Sequence, residues 1–224
     1  METGLLERSP GRVFASLAGR VVLYSVILGA IFFGLMSCGA QGSTLDFYDE
    51  TGPVEILQIV TALAAAIIFF AAGRVDRTKA PSTVMIALFL LCLIIRELDF
   101  FLDEYVARHA WKILVALVVV CMTVYTIRKR RELMASLLEF ISHPSFGVLL
   151  AGLLVLTVFS RLFGYGDFWE ELIEGSFYRT VKTIVEETSE QIAYFLLLIA
   201  SCEFLHDARI RRRLGSADKP QGAE

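Results

Sequence analysis

The stretch STVMIALFLLCLIIRELDFFLDE, residues 82–104, decides the fold class of this protein. It opens with a long apolar run and then places ionisable side chains at five of its last eleven positions. An α-helix rises about 1.5 Å per residue, so roughly 20 apolar residues cross the ~30 Å hydrocarbon core of a bilayer. The stretch is therefore predicted to be a membrane-spanning helix whose final turns carry charge.

The composition extends this prediction to the whole chain. Hydrophobic residues make up 56% of the 224 positions, which leaves too little polar surface to coat a soluble globule. We predict an all-α, polytopic membrane bundle of six transmembrane helices, at 19–39, 53–73, 82–102, 108–127, 144–163 and 185–205. They form one transmembrane domain, 19–206, between an N-terminal segment, 1–18, and a tail, 207–224, that is basic and then disordered.

The connections between the predicted spans alternate in charge, although the formal net charge is only −3. The basic groups are Arg8, Arg12 and Arg20, then Arg74, Arg77 and Lys79, then Arg128, Lys129, Arg130 and Arg131, and finally Arg209, Arg211, Arg212, Arg213 and Lys219. The other three connections are acidic. By the positive-inside rule, both termini are cytoplasmic. The basic clusters are expected to touch anionic lipid headgroups, and nucleic acid is not an expected partner because no aromatic stacking platform accompanies them.

The charged end of the third span predicts a polar site within the membrane. Counted from Ser82, Arg96 lies about 21 Å along the helix and so remains inside the hydrocarbon layer. On a continuous helix the ionisable residues Arg96, Glu97, Asp99, Asp103 and Glu104 share an arc of about 160°. Charge facing lipid is costly, so this arc is expected to face protein or water.

Other spans carry polar groups at the same level. Glu187, Glu190, Gln191 and Tyr194 follow the i, i+3, i+4, i+7 pattern of one helical face, and Glu55 begins the second span. The predicted ligand or cation site is Glu55, Arg96, Glu97, Asp99, Glu187, Glu190 and Tyr194, with His109, Lys112 and Arg161 as its rim. Arg96 is expected to bridge Glu97 or Asp99 and the carboxylate of Glu55, Glu187 or Glu190.

Three functions remain open for this acidic chamber. One arginine cannot satisfy every carboxylate, so at least one carboxylate is expected to take up a proton or bind a small cation, which favours cation or proton recognition or passage. A lipid-modifying enzyme could instead use one carboxylate as acid or base on a lipid headgroup, although no nucleophile stands beside a base. A scaffold subunit would use the charges only to hold helices together.

The histidines and cysteines indicate no cofactor and no metal. His109 is predicted on the outer rim and His143 and His206 on the inner rim, so the three cannot share one zinc ion. A site of His143, His206 and Glu203 on the inner side stays open as an alternative. Cys92, Cys121 and Cys202 are expected to pack as small apolar residues.

Three shorter segments bear on topology. Leu35-Met36-Ser37-Cys38 resembles a bacterial lipobox, and cleavage there would leave five spans; the first helix is nevertheless expected to be retained. Residues 167–174 predict a short amphipathic surface helix. The apolar stripe in 133–141 either extends the fourth helix or lies on the inner leaflet.

The sequence contains four acidic motifs: Phe47-Tyr48-Asp49-Glu50, Gly52-Pro53-Val54-Glu55, Arg96-Glu97-Leu98-Asp99, and Glu186-Glu187 with Glu190. They resemble motifs of small, uncharacterised, polytopic inner-membrane proteins of bacteria. The resemblance covers spans two to six. It implies a multi-pass protein of the bacterial inner (plasma) membrane and implies no substrate.

Overall fold

The computed structural model describes residues 10–41, 47–48, 52–175 and 177–217, and no strand occurs among them. The α-helices are α1 (Pro10–Gln41), α2 (Pro53–Val75), α3 (Ala80–Glu97), α4 (Asp99–Tyr105), α5 (Ala110–Ile141), α6 (Pro144–Leu154), α7 (Ser160–Phe163), α8 (Gly166–Leu172) and α9 (Phe177–Ala217). A 3-10 turn, Arg77–Lys79, precedes α3, and a π-helical segment, Val155–Phe159, joins α6 to α7.

Six segments of the described chain are long and apolar enough to cross a membrane. They are Phe14–Ser37, Pro53–Val75, Arg77–Glu97, Ala110–Ile141, Pro144–Phe163 and Phe177–Leu214. This confirms the predicted all-α bundle with six candidate transmembrane helices, and the protein is a multi-pass membrane protein. The acidic positions 46, 49 and 50 and residues 218–224 of the predicted tail lie outside the described residues, as does the side chain of Cys38.

Proline begins three of the spanning helices, because its fixed φ suits the first helical turn and its missing N–H has no intrahelical partner there. Pro53, Pro81 and Pro144 hold these positions. The side chain of His143 caps α6 by accepting a hydrogen bond from the Ser145 amide at 3.1 Å. These local signals fix where α2, α3 and α6 start.

The central helix of the bundle is α9, which packs against α2 on one side and against α6 and α7 on another. Small residues line the contact with α2: Ala62, Ala65 and Ala72 on α2, and Ala193, Ala200 and Ala208 on α9. Small side chains allow the two backbones to approach closely, as in other membrane helix pairs. Helix α3 packs against α2, and α5 packs against α3.

Helix α1 lies at the edge of the bundle and contacts it through few side chains. Arg20 Nε lies 2.8 Å from Glu203 Oε1, and the Tyr24 hydroxyl donates to the same oxygen at 2.8 Å. The Phe32 ring packs edge-to-face on Phe195. The remaining surface of α1 is apolar and exposed, as expected for a helix surrounded by lipid.

Several element boundaries differ from the predicted ones. The third span ends at Glu97 and not at residue 102, because Leu98 leaves the helical region (φ −88°, ψ 9°) and Asp99 starts the separate helix α4. The fourth helix absorbs the stripe at 133–141, with a non-helical residue at Lys129. The last helix begins at Phe177 and continues to Ala217, well beyond residue 205.

We name the two ends of the bundle by their charge. The acidic end comprises residues 52–58, 96–112 and 161–194, and the basic end comprises residues 74–83, 128–145 and 203–217.

Candidate functional site

At the acidic end, α3 and α9 meet through a buried carboxylate. Glu97 Oε1 accepts a hydrogen bond from the Tyr194 hydroxyl at 2.6 Å and lies 2.7 Å from Arg96 Nη2. Arg96 Nη2 is also 3.8 Å from Glu190 Oε2. Glu97 and Glu190 are 8% and 3% exposed, and Tyr194 is fully buried. Arg96 therefore joins carboxylates from two helices, as its position in the sequence predicts.

A second arginine reaches the same carboxylates from α7. Arg161 forms an ion pair with Glu190 through Nη2 and lies 3.3 Å from Glu186 Oε1 through Nη1. Lys182 Nζ lies 3.2 Å from the other oxygen of Glu186. Arg161 thus belongs to the cluster itself rather than to its rim. Sequence reasoning did not assign a site role to Lys182 or propose an ion pair for Glu186.

Glu187 differs from its neighbours because its partner is an amide. Its Oε2 accepts a hydrogen bond from Gln58 Nε2 at 2.9 Å, and its backbone carbonyl accepts one from the same nitrogen at 3.3 Å. Within the part of the chain that the structure describes, Glu187 forms no ion pair within 4.0 Å. By contrast, Glu97, Glu186 and Glu190 each lie within that distance of an arginine or lysine.

Two buried amides accompany Glu187. The Gln58 and Gln191 side chains are both fully buried. Gln58 Oε1 and both polar atoms of Gln191 have no hydrogen-bond partner among the described residues. Gln191 lies one turn after Glu187 on the same face of α9, and Glu55 begins the α2 face that carries Gln58. Buried polar atoms normally have hydrogen-bond partners, so the side-chain amides of Gln58 and Gln191 have capacity for a further polar partner.

Tyr48 covers this region from outside the spanning helices. Its side chain is 6% exposed and interacts with Thr188, the residue after Glu187. Burial raises the pKa of the Tyr48 phenol, and the hydrogen bond with Thr188 opposes that rise. Tyr48 was part of an acidic motif in the sequence but was not predicted to be a site residue.

The structure does not bring three predicted residues into the cluster. Asp99 lies on α4 beyond the break at Leu98 and forms no ion pair with a described residue. His109 takes a left-handed backbone conformation (φ 68°), and its amide donates to Asp103 at 2.8 Å. Lys112 lies over the Trp111 ring. The predicted arc assumed a continuous helix through Leu98, and the break separates Asp99 and Asp103 from Arg96.

Toward the middle of the bundle, the cluster ends at an apolar layer. Ala62, Ala65, Leu90, Ala193 and Leu197 are fully buried there. About 14 Å of α9 separates Tyr194 from Glu203, the next carboxylate along the helix. The polar groups of the acidic end are therefore separated from the basic end by packed hydrocarbon.

A second polar cluster, at the basic end, was missed by sequence reasoning. Lys79 is 1% exposed, and its Nζ lies 2.7 Å from Asp207 Oδ2 and 4.5 Å from the centre of the Phe204 ring. His143 Nε2 and Arg211 Nε lie 3.5 and 2.8 Å from the same Asp207 oxygen. Lys79 was interpreted only as a topology signal, since its sequence neighbours give no sign that it is buried.

The residues considered for an inner zinc site take other partners. Glu203 binds Arg20 and Tyr24, and His143 caps α6 and faces Asp207. In the described residues, no group of three or more His, Cys, Asp or Glu side chains is arranged to hold a metal ion.

Comparison of the chain with models of protein families, with curated protein sequences and with solved structures finds no match.

Proposed function

We propose that the acidic end binds a proton or a small monovalent cation at Glu187. The observation that carries this proposal is the contrast among four neighbouring glutamates, of which Glu187 alone has an amide and no basic side chain within 4.0 Å in the described chain. Glu187 is half-buried. A carboxylate partly withdrawn from water without a countercharge is destabilised, and a proton or a bound cation relieves that cost.

The buried amides fit either ligand. Gln58 Nε2 already donates to Glu187, and the free carbonyl oxygens of Gln58 and Gln191 are hydrogen-bond acceptors and neutral cation ligands. A divalent ion prefers several anionic oxygens, and in the described residues no three His, Cys, Asp or Glu side chains are arranged to hold one metal ion. A single carboxylate with amide oxygens suits a monovalent charge.

The ion pairs around Glu187 supply a fixed electrostatic frame. The three basic side chains Arg96, Arg161 and Lys182 balance the charge of three glutamates, namely Glu97, Glu186 and Glu190. Glu187 is then left as the group whose charge varies. Because an apolar layer lies beneath the cluster, the ligand would exchange from the acidic side, and passage across the membrane would require a rearrangement of that layer.

Proteoliposomes that contain an internal pH-sensitive dye test the proposal. The internal pH should be followed after a proton, sodium or potassium gradient is imposed, both for the unaltered protein and for Glu187→Gln. The substitution mimics a permanently protonated side chain, so ligand-dependent uptake and ligand-dependent thermal stabilisation are expected to disappear. Glu171→Gln is the matched control, because Glu171 is an exposed acid at the same end. Equal behaviour of the two variants would contradict the proposal.

The same variants separate the two alternative functions. A scaffold subunit would lose stability or assembly with Glu187→Gln and show no ligand dependence before the substitution. A lipid-modifying enzyme would lose turnover of a lipid substrate while still binding it. An effect of sodium or potassium on the stability of the unaltered protein, absent in the variant, would distinguish cation binding from proton binding.

We also propose that the protein resides in a bacterial inner membrane with both termini in the cytoplasm. Support comes from the alternation of basic and acidic connections and from the resemblance of the acidic motifs to bacterial inner-membrane proteins. Alkaline phosphatase fused after Glu104 should then be active and a fusion after Arg131 inactive, and the reverse pattern would contradict the orientation.

A further inference from the structure

The basic end contains a cavity lined by arginine that the proposed function does not use. Its volume is about 480 Å³, and it lies between the end of α2 and the C-terminal part of α9. We call it the arginine pocket; its lining residues are Val75, Arg209, Arg212 and Arg213. The three arginines are spaced i, i+3, i+4 and so share one face of α9. The pocket has the size of an ordinary small-ligand site.

Two of the three arginines on this face of α9 have no acidic partner among the described residues. Arg209 and Arg213 form no ion pair within 4.0 Å of a carboxylate in the described chain. Arg211, on another face of the helix, is by contrast paired with Asp207 at 2.8 Å and with Glu139 at 2.9 Å. Carboxylates are thus available at this end of the bundle but are directed at Arg211.

The position of the pocket along α9 matches the headgroup level of a bilayer. Asp207 lies 20 residues after Glu187, which corresponds to about 30 Å of helix, the thickness of a hydrocarbon core. Arg209, Arg212 and Arg213 then project just beyond the hydrocarbon, while Val75 ends the apolar part of α2. The pocket combines an apolar wall with a cationic opening.

We propose that the arginine pocket binds a phosphate-bearing anion of the kind carried by anionic phospholipids. Guanidinium groups present planar pairs of donors that match phosphate oxygens in bidentate fashion, which a lysine cluster does not offer. The phosphate is held by the guanidinium groups, and the hydrocarbon next to it contacts Val75. Basic pockets between transmembrane helices hold lipid headgroups in this way.

Binding in nanodiscs tests the pocket against general surface attraction. Phosphatidylcholine nanodiscs with and without phosphatidylglycerol should be compared, and the bound anionic lipid counted by native mass spectrometry. Arg209→Gln with Arg213→Gln is expected to lower the affinity for phosphatidylglycerol about 100-fold, since each charge-assisted hydrogen bond to phosphate that is lost is worth about tenfold in affinity. Arg130→Gln with Arg131→Gln is the matched control, because these exposed arginines lie at the same end outside the pocket. An equal loss in both double variants, or no loss in either, would overturn the proposal.

Two further measurements keep the result interpretable. Arg209→Lys with Arg213→Lys preserves the charge but not the planar donors, and a loss of affinity there supports bidentate phosphate binding even if the glutamine variant folds poorly. Retention of full affinity in the lysine variant would overturn it. In detergent with a neutral headgroup, stabilisation by inorganic phosphate identifies a soluble anion as sufficient, whereas stabilisation only by phosphatidylglycerol identifies the lipid.

Discussion

Replacing Asp207 with asparagine is expected to destabilise the bundle more than replacing its partner Lys79 with methionine. The Lys79 side chain is 1% exposed, and Asp207 is the only carboxylate of the described chain within 4.0 Å of its ammonium group. Asp207→Asn leaves that ammonium buried with an amide oxygen and the Phe204 ring. Stranding one member of a buried ion pair costs about 3–5 kcal/mol, and the contact with Phe204 places this case near 3 kcal/mol.

Lys79→Met has a smaller expected cost because Asp207 keeps other partners. Arg211 Nε remains at 2.8 Å and His143 Nε2 at 3.5 Å, and the Asp207 side chain is 29% exposed to its surroundings. Methionine also fills most of the lysine volume in the core. We expect the free energy of unfolding to fall by about 1 kcal/mol, which is the net contribution of one hydrogen bond.

The free energy of unfolding of the purified protein in mixed micelles, measured by denaturing-detergent titration, tests this asymmetry. The double variant is expected to be more stable than Asp207→Asn alone, by about 2 kcal/mol, because it removes the stranded charge. Glu132→Gln is the control, since its ion pair with Lys129 is exposed and contributes little. The reasoning is refuted if Lys79→Met is as damaging as Asp207→Asn, or if the double variant is the least stable.

Two further substitutions test the packing of the bundle by the same titration. Tyr194→Phe removes the hydroxyl that donates to Glu97 at 2.6 Å. Because the accepting carboxylate is buried, the free energy of unfolding is expected to fall by about 1–2 kcal/mol. An unchanged stability would mean that this hydrogen bond is not formed. Gly73→Ala places a Cβ 2.9 Å from the Ala80 Cα, so α2 and α3 must separate, and the free energy of unfolding is expected to fall by about 1–3 kcal/mol. Gly34→Ala has open space around the new Cβ and should not lower the stability, because alanine is the better helix former. Equal stability of the two alanine variants would contradict the close approach of α2 and α3.

The hydrophobic content and the length of the apolar runs determined the fold class. A backbone in lipid must form its hydrogen bonds within its own segment, so runs of about 20 apolar residues cross the membrane as helices. The 3.6-residue repeat also placed Glu187, Glu190 and Tyr194 on one face of α9, and the cost of lipid-exposed charge indicated that Arg96 would turn toward them. These properties are local, so the sequence alone predicts them.

Only the tertiary structure decided which charges are paired. The break at Leu98 removed Asp99 from the cluster, although nothing in the apolar pattern ends the helix at that residue. Lys79 resembles a loop lysine in sequence, yet α9 brings Asp207 and Phe204 over it and buries it. The partner of each ionised group depends on the rotation and end-to-end position of helices distant in the chain, and hydrophobic periodicity specifies neither.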